Sequence, residues 1–130
     1  MPIRSMLKSK IHRATVTEAD LEYEGSITLD SNLLLLADIF PNEEVHVWNV
    51  TKGTRFRTYA MSGKKDSGVV CVNGAAAHLA SAGDLIIIAT YHLIKDGEYI
   101  PSPKIVFVDS SNKPKNIGKQ ETPGPLFPEY

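Results

Sequence analysis

"EVHVWNVTKGTRFRTYAM", residues 44–61, sets two β-rich runs on either side of the short segment "TKG". That pattern predicts a hairpin with Gly53 in its turn. In the second arm a period of two puts Arg55, Arg57 and Tyr59 on one face and Phe56 and Thr58 on the other. The plainest reading of this arm is a solvated cationic face over a core phenylalanine.

Outward from the hairpin, four further segments read as short strands: "KIHRATVTEA", "GVVCVNG", "DLIIIATYHLI" and "KIVFVD". Each is rich in β-branched residues or bounded by Gly, Asp or Pro. "DSNLLLLADI" predicts one helix, capped by Asp30 or Ser31 and stopped by Pro41, and "AAAHLAS" predicts a second helical turn. Six or so strands with little helix predict a mainly β chain, a small closed six-stranded barrel that leaves no edge to protect. The expected organisation is a single domain over residues 1–112. A mobile tail follows at 113–130, where four of the eight prolines lie without periodicity. Its apolar end "PLFPEY" has the character of a segment that docks on a neighbour.

The chain of 130 residues suits one domain. With 14 basic against 15 acidic residues the net charge is -1, which favours neither nucleic acid nor an acidic membrane as partner. An anion site must then be built locally from a few cations. The single cysteine, Cys71, reads as a buried small hydrophobe. The opening "MPIRSMLKSK" lacks a signal-peptide core, and "LLLLA" and "LIIIA" are too short to span a bilayer, so the cytoplasm is expected. His12, His46, His78 and His92 show no metal-ligand spacing, and no metal is expected. P-loop, Rossmann and nucleophile-elbow patterns are absent.

Three features carry chemistry. In "LEYEGSITLD", residues 21–30, Gly25-Ser26 reads first as a turn. A serine hydroxyl can also attack the carbonyl before it and move the acyl group from nitrogen to oxygen. Gly25, without a Cβ, leaves that carbonyl open. β-Elimination and hydrolysis then leave an N-terminal pyruvoyl group. Secondly, Thr58 and Tyr59 lie side by side, one a donor to an oxyanion and the other a source of a phenolic proton. Thirdly, Asn73-Gly74 leads into Ala75, Ala76 and Ala77, a run with so little bulk that backbone N–H groups can meet a carboxylate.

Together these pieces resemble the pyruvoyl-dependent aspartate 1-decarboxylase family. "MLKSKIHRATVTEADLEYEGS", "WNV", the G-x-R-F-x-T-Y-A pattern at 53–60 and "VNGAAAH" match in order and spacing, from about Ile3 to Val108. The resemblance implies a double-psi β-barrel assembled as a homotetramer, with its site between subunits. It implies self-cleavage into a β chain of residues 1–25 and an α chain of residues 26–130, with Ser26 becoming the pyruvoyl group. No PLP is needed. L-Aspartate would form a Schiff base there, lose CO2 and leave as β-alanine for pantothenate and coenzyme A synthesis. On the same likeness Thr58 assists processing and contacts substrate, and Tyr59 is the proton donor. Lys10 and Arg55 bind the carboxylates, with Gly74, Ala75 and Ala76 as the backbone segment. Trp48, Asn73, His12 and Tyr23 line the site. "GKKDSG" departs from the pattern, with Lys65 and Asp66 where a tighter glycine turn is usual. Two rivals stand beside this reading: a barrel that never matures and serves as a binding module, and a pyruvoyl enzyme for another small amino acid.

Overall fold

The computed structural model describes residues 2–24 and 26–125. Along that chain run β1 (Ile3–Thr15), β2 (Glu18–Asp20), β3 (Ile27–Asp30), helix α1 (Ser31–Leu36), β4 (Glu44–Asn49) and β5 (Arg55–Gly63). Then come β6 (Val70–Asn73), a 3-10 helix (Gly74–His78), β7 (Leu85–Lys95), β8 (Lys104–Val108) and β9 (Pro114–Lys115). The segments expected as strands are β1, β4, β5, β6, β7 and β8. The three additions, β2, β3 and β9, are two to four residues long. The sheet thus continues past residue 112 into β9, which pairs with β8. Most of "PLFPEY" lies outside the described residues.

The hairpin is as its alternation predicts. Trp48 sits opposite Arg55 and Glu44 opposite Tyr59, and Gly53 turns the chain with φ +79°. Helix α1 begins where expected, because the Asp30 carboxylate accepts the Asn32 N–H at 2.9 Å. It ends sooner than expected. Ala37 caps it and Asp38 takes a left-handed φ of +54°, so the helix is over before Pro41 is reached.

The strand order is β2-β6-β3-β5-β4-β7-β1-β8-β9, with parallel pairs β1/β8, β2/β6 and β3/β5. Only Val16 and Thr17 separate β1 from β2, yet the two strands lie far apart in that order. The sheet must therefore roll up, and the seam is visible. Val16 N–H donates to Asp84 O and Thr17 N–H to Val70 O. Buried Asn112 laces the same seam. Its amide donates to the carbonyls of Thr15 and Gly68 and accepts from Thr15 N–H. Gly68 has φ +74°, and a Cβ there would stand 2.5 Å from Ser111 O, so the seam requires glycine.

Inside the rolled sheet lie Ile11, Ile27, Leu29, Val45, Val47, Val70, Val72, Ile86 and Ile88, all fully buried. Burial of this apolar face is the main force behind the fold. Under the end of β3, Asp30 is 2% exposed. It accepts from the N–H groups of Asn32, Asp66 and Gly68, each at 2.9 Å. Burial alone pushes this carboxyl up, but those three donors and nearby Lys113 outweigh it and hold it below the usual carboxylate range. The "GKKDSG" turn is shaped by the same carboxylate, with Asp66 at φ +61°. Among the described residues no helix is long and apolar enough to cross a membrane.

Candidate active site

Ser26 stands at the mouth of β3, just before Ile27. Gly25 lies outside the described residues, so the local geometry begins at Ser26. β3 is flanked by β5 on one side, Ile27 opposite Ala60, and by β6 on the other, Ile27 opposite Val72. That placement brings Ser26 between the strands that carry Thr58 and Asn73. The Asn73 N–H donates to Ser26 O at 2.8 Å. A cavity of about 350 Å³ opens here, lined among others by Ser26, Arg57, Thr58, Asn73, Ala75 and Ala76. Gly74, at φ +63°, turns the chain out of β6 into the 3-10 helix that presents the two alanines.

Asn73 is 3% exposed and its side chain is held at both ends. Its amide donates to Thr28 Oγ1 at 2.9 Å and accepts from Cys71 Sγ at 3.0 Å. Cys71 is buried as expected, and burial pushes its thiol up. It is also a hydrogen-bond donor to a residue of the site, which composition alone does not suggest.

The other expected site residues lie elsewhere on the chain. Trp48 and Arg55 stack at 5.2 Å on the outer face of the β4–β5 hairpin. They line a separate hollow of about 510 Å³ with Glu44, His46 and Tyr91. Lys10 shares that outer face, since Lys10 and His46 both sit opposite Ala89 of β7. Its ammonium pairs with Glu121 at 2.5 Å. His12 packs edge-on to Phe107, with ring centroids 5.6 Å apart, and its buried Nδ1 has no hydrogen-bond partner among the described residues. Burial first, and then the Lys10 charge, lower its pKa. Tyr59 is 41% exposed and does not line the Ser26 cavity. Tyr23 donates to Glu18 at 2.7 Å, and that bond raises its pKa. It borders an open hollow that reaches Asn73 from another side.

One chain therefore gathers Ser26, Thr58, Asn73, Ala75 and Ala76, and holds Lys10, Arg55, Trp48 and His12 apart from them. Arg57 lines the Ser26 cavity, although strand alternation alone assigns it to the solvated face with Arg55. Thr28, which holds Asn73, carries no motif. Only the observed pairing of β3 with β6 exposes its part.

A family model described as aspartate decarboxylase matches residues 2–115 of the chain. A relative from Myxococcus xanthus is 54% identical over 123 residues, covering 94% of this chain and 95% of its own. One from Syntrophotalea carbinolica is 58% identical over 122 residues, covering 93% and 92%. One from Thermoanaerobacter pseudethanolicus is 56% identical over 115 residues, covering 88% and 98%. All three are named aspartate 1-decarboxylase.

Proposed function

The chain belongs to the aspartate decarboxylase family, and we propose from that premise that it removes the α-carboxylate of L-aspartate to give β-alanine and CO2. The product feeds pantothenate synthesis, and the same reading assigns the enzyme to the cytoplasm. The observation that carries the proposal is the match over residues 2–115, together with relatives more than half identical along nearly their whole length.

Maturation is the first event. Ser26 Oγ attacks the Gly25 carbonyl and displaces the residue-26 nitrogen. β-Elimination of the ester leaves a carboxylate on Gly25 and dehydroalanine at residue 26, and hydrolysis releases the nitrogen as ammonia and leaves a pyruvoyl group. Residues 1–25 then form the β chain and residues 26–130 the α chain. The surroundings of Ser26 fit such a group. The cavity is small, its wall is built from Ala75 and Ala76, and the residue-26 carbonyl is pinned by Asn73. About 350 Å³ is at the small end of ligand cavities, which run from roughly 300 to 1,000 Å³. Once formed, the pyruvoyl group supplies an electrophilic carbonyl and an electron sink, so no PLP is called for.

The remaining tasks fall to ordinary side chains. Thr58, facing the cavity from β5, assists the cleavage and then contacts substrate. The N–H groups of the Gly74–Ala76 segment receive a carboxylate. Arg55 grips the other carboxylate in a planar fork, and Lys10 adds a point charge. Tyr59 returns the proton to Cα. His12, Trp48 and Tyr23 complete the walls.

Arg55 and Lys10 lie on the outer face of the barrel, away from Ser26 of the same chain. A neighbouring subunit must bring them, and a homotetramer with sites between protomers meets that need.

The deciding experiment is the mass of the purified chain. The wild type should yield two fragments, the larger blocked by a ketone. Ser26→Ala should stay a single chain without decarboxylase activity. Two fragments from Ser26→Ala would refute the cleavage chemistry. An intact, inactive wild type would refute the proposed function.

A further inference from the structure

We propose that the Asn73 backbone N–H is an electrophilic donor to the residue-26 carbonyl during decarboxylation, and that Thr28 is the positioning residue that fixes it. The inference rests on the proposed function.

Some atoms of residue 26 survive maturation unchanged. Cleavage breaks the bond before residue 26 and remakes its side chain. The residue's own carbonyl keeps its amide bond to Ile27. That oxygen is conjugated with the keto group that Ser26 would become. Negative charge released at the substrate Cα therefore spreads toward it. A donor already aligned on this oxygen costs no reorganisation when the charge arrives. The Asn73 N–H is such a donor, at 2.8 Å from Ser26 O.

Position is the difficulty, because Asn73 is the last residue of β6. The β3–β6 ladder pairs Thr28 with Cys71 and Ile27 with Val72, and the chain turns away at Gly74 with φ +63°. A ladder end frays unless something holds it. Here β2 flanks Asn73 on its far side, with Asp20 opposite it, and the Asn73 side chain ties it to β3 itself. Its amide donates to Thr28 Oγ1 at 2.9 Å and accepts from Cys71 Sγ at 3.0 Å. Both contacts come from the two residues that pair with each other two steps back along the ladder. Thr28 meets no substrate-side cavity through Ser26, since it is absent from that lining. It borders the neighbouring hollow with Tyr23, and its hydroxyl reaches the residue-26 carbonyl through Asn73. With Asn73 3% exposed, loss of that acceptor leaves a buried amide in want of a partner and loosens the backbone beside it.

The test compares Thr28→Val, which keeps the shape and removes the hydroxyl, with Thr28→Ser, which keeps the hydroxyl. Each processed enzyme is assayed for kcat and KM with aspartate, and for exchange of the Asn73 amide hydrogen. Deleting one preorganised donor outright costs roughly 100- to 1,000-fold in kcat, so loosening it predicts about a tenfold fall. Thr28→Val should show that fall with KM unchanged, and about tenfold faster Asn73 exchange. Thr28→Ser should restore both. Unchanged kcat in Thr28→Val overturns the proposal, whether or not the exchange rate moves. So does a loss that appears in KM alone. Should Thr28→Val fail to fold, Cys71→Ala removes the other support of the same side chain. It should lower kcat about threefold at constant KM, and an unchanged kcat would overturn the idea equally. A mature, active wild type beside an indifferent Thr28→Val sinks this inference alone, whereas a wild type that never turns over aspartate sinks the proposed function and the inference with it.

Discussion

Asp30→Ala should be the most damaging single change outside the cavity. The carboxylate is 2% exposed and satisfies three backbone donors, those of Asn32, Asp66 and Gly68, each at 2.9 Å. Alanine strands the buried Gly68 N–H, at about 1–3 kcal/mol, and the half-buried Asp66 N–H, at the low end of the same range. It also removes the cap of α1, worth about 1 kcal/mol. A loss near 4 kcal/mol follows, a large part of the 5–15 kcal/mol (roughly) that holds a domain together. For a chain of this size that corresponds to a fall of about 15 °C in Tm. The assay is thermal unfolding of both proteins at one fixed chain concentration, because assembly shifts apparent stability. The effect also reaches function. Asp30 ends the strand that begins beside Ser26, so self-cleavage should slow in the variant.

The pH dependence gives a second, independent reading. The folded pKa of Asp30 lies below its ordinary value of 3.8. A depressed carboxylate contributes stability that is full above its unfolded pKa and is lost as pH falls through the folded one. The gap between wild type and Asp30→Ala should therefore narrow below pH 3.8. Asp84 and Asp109 are also depressed, but both proteins carry them and they cancel in the difference. A loss under about 1 kcal/mol near neutral pH, or a gap that widens in acid, would refute the reasoning.

Arg55→Ala should mature fully by mass yet lose about 100-fold in kcat/KM for aspartate, and a loss under about threefold would end its assigned role. Mixing Arg55→Ala chains with Ser26→Ala chains, each inactive alone, should restore activity to about a quarter of the sites if neighbours complete one another. No recovery from mixed assemblies would count against a shared site. Tyr59→Phe should lower kcat about 100-fold with little change in KM, and a normal kcat would exclude it as the proton donor. Glu121→Gln should free Lys10, whose ammonium it pairs at 2.5 Å, and lower KM for aspartate. Glu121 is 38% exposed and such pairs are worth at most about 1 kcal/mol, so the gain should stay within about fivefold; a raised KM would contradict it.

What the sequence makes legible here is whatever a short local pattern determines. The alternation in residues 44–61 sets Phe56 and Thr58 toward the inside and Arg55 and Tyr59 outward, because a strand has only two faces. Asp30 reads as a helix cap because the donor it satisfies is two residues away. Its other partners, Asp66 and Gly68, come from a turn far along the chain, and no local pattern announces them. β2, β3 and β9 escape notice for a related reason. At two to four residues they are too short to show a period, and they are strands only because β6, β5 and β8 supply partners. The split of the site is the furthest consequence of this. Arg55 and Thr58 are three positions apart in one strand, an odd offset, so they must face opposite sides of the sheet. Rolling that sheet into a barrel carries one to the outer wall and the other to the mouth where Ser26 lies. The parity was readable in "TRFRTYAM" from the start, and under the proposed function it asks a second chain to return Arg55 to the site, whereas Arg57, of the same parity, reaches the Ser26 cavity within its own chain.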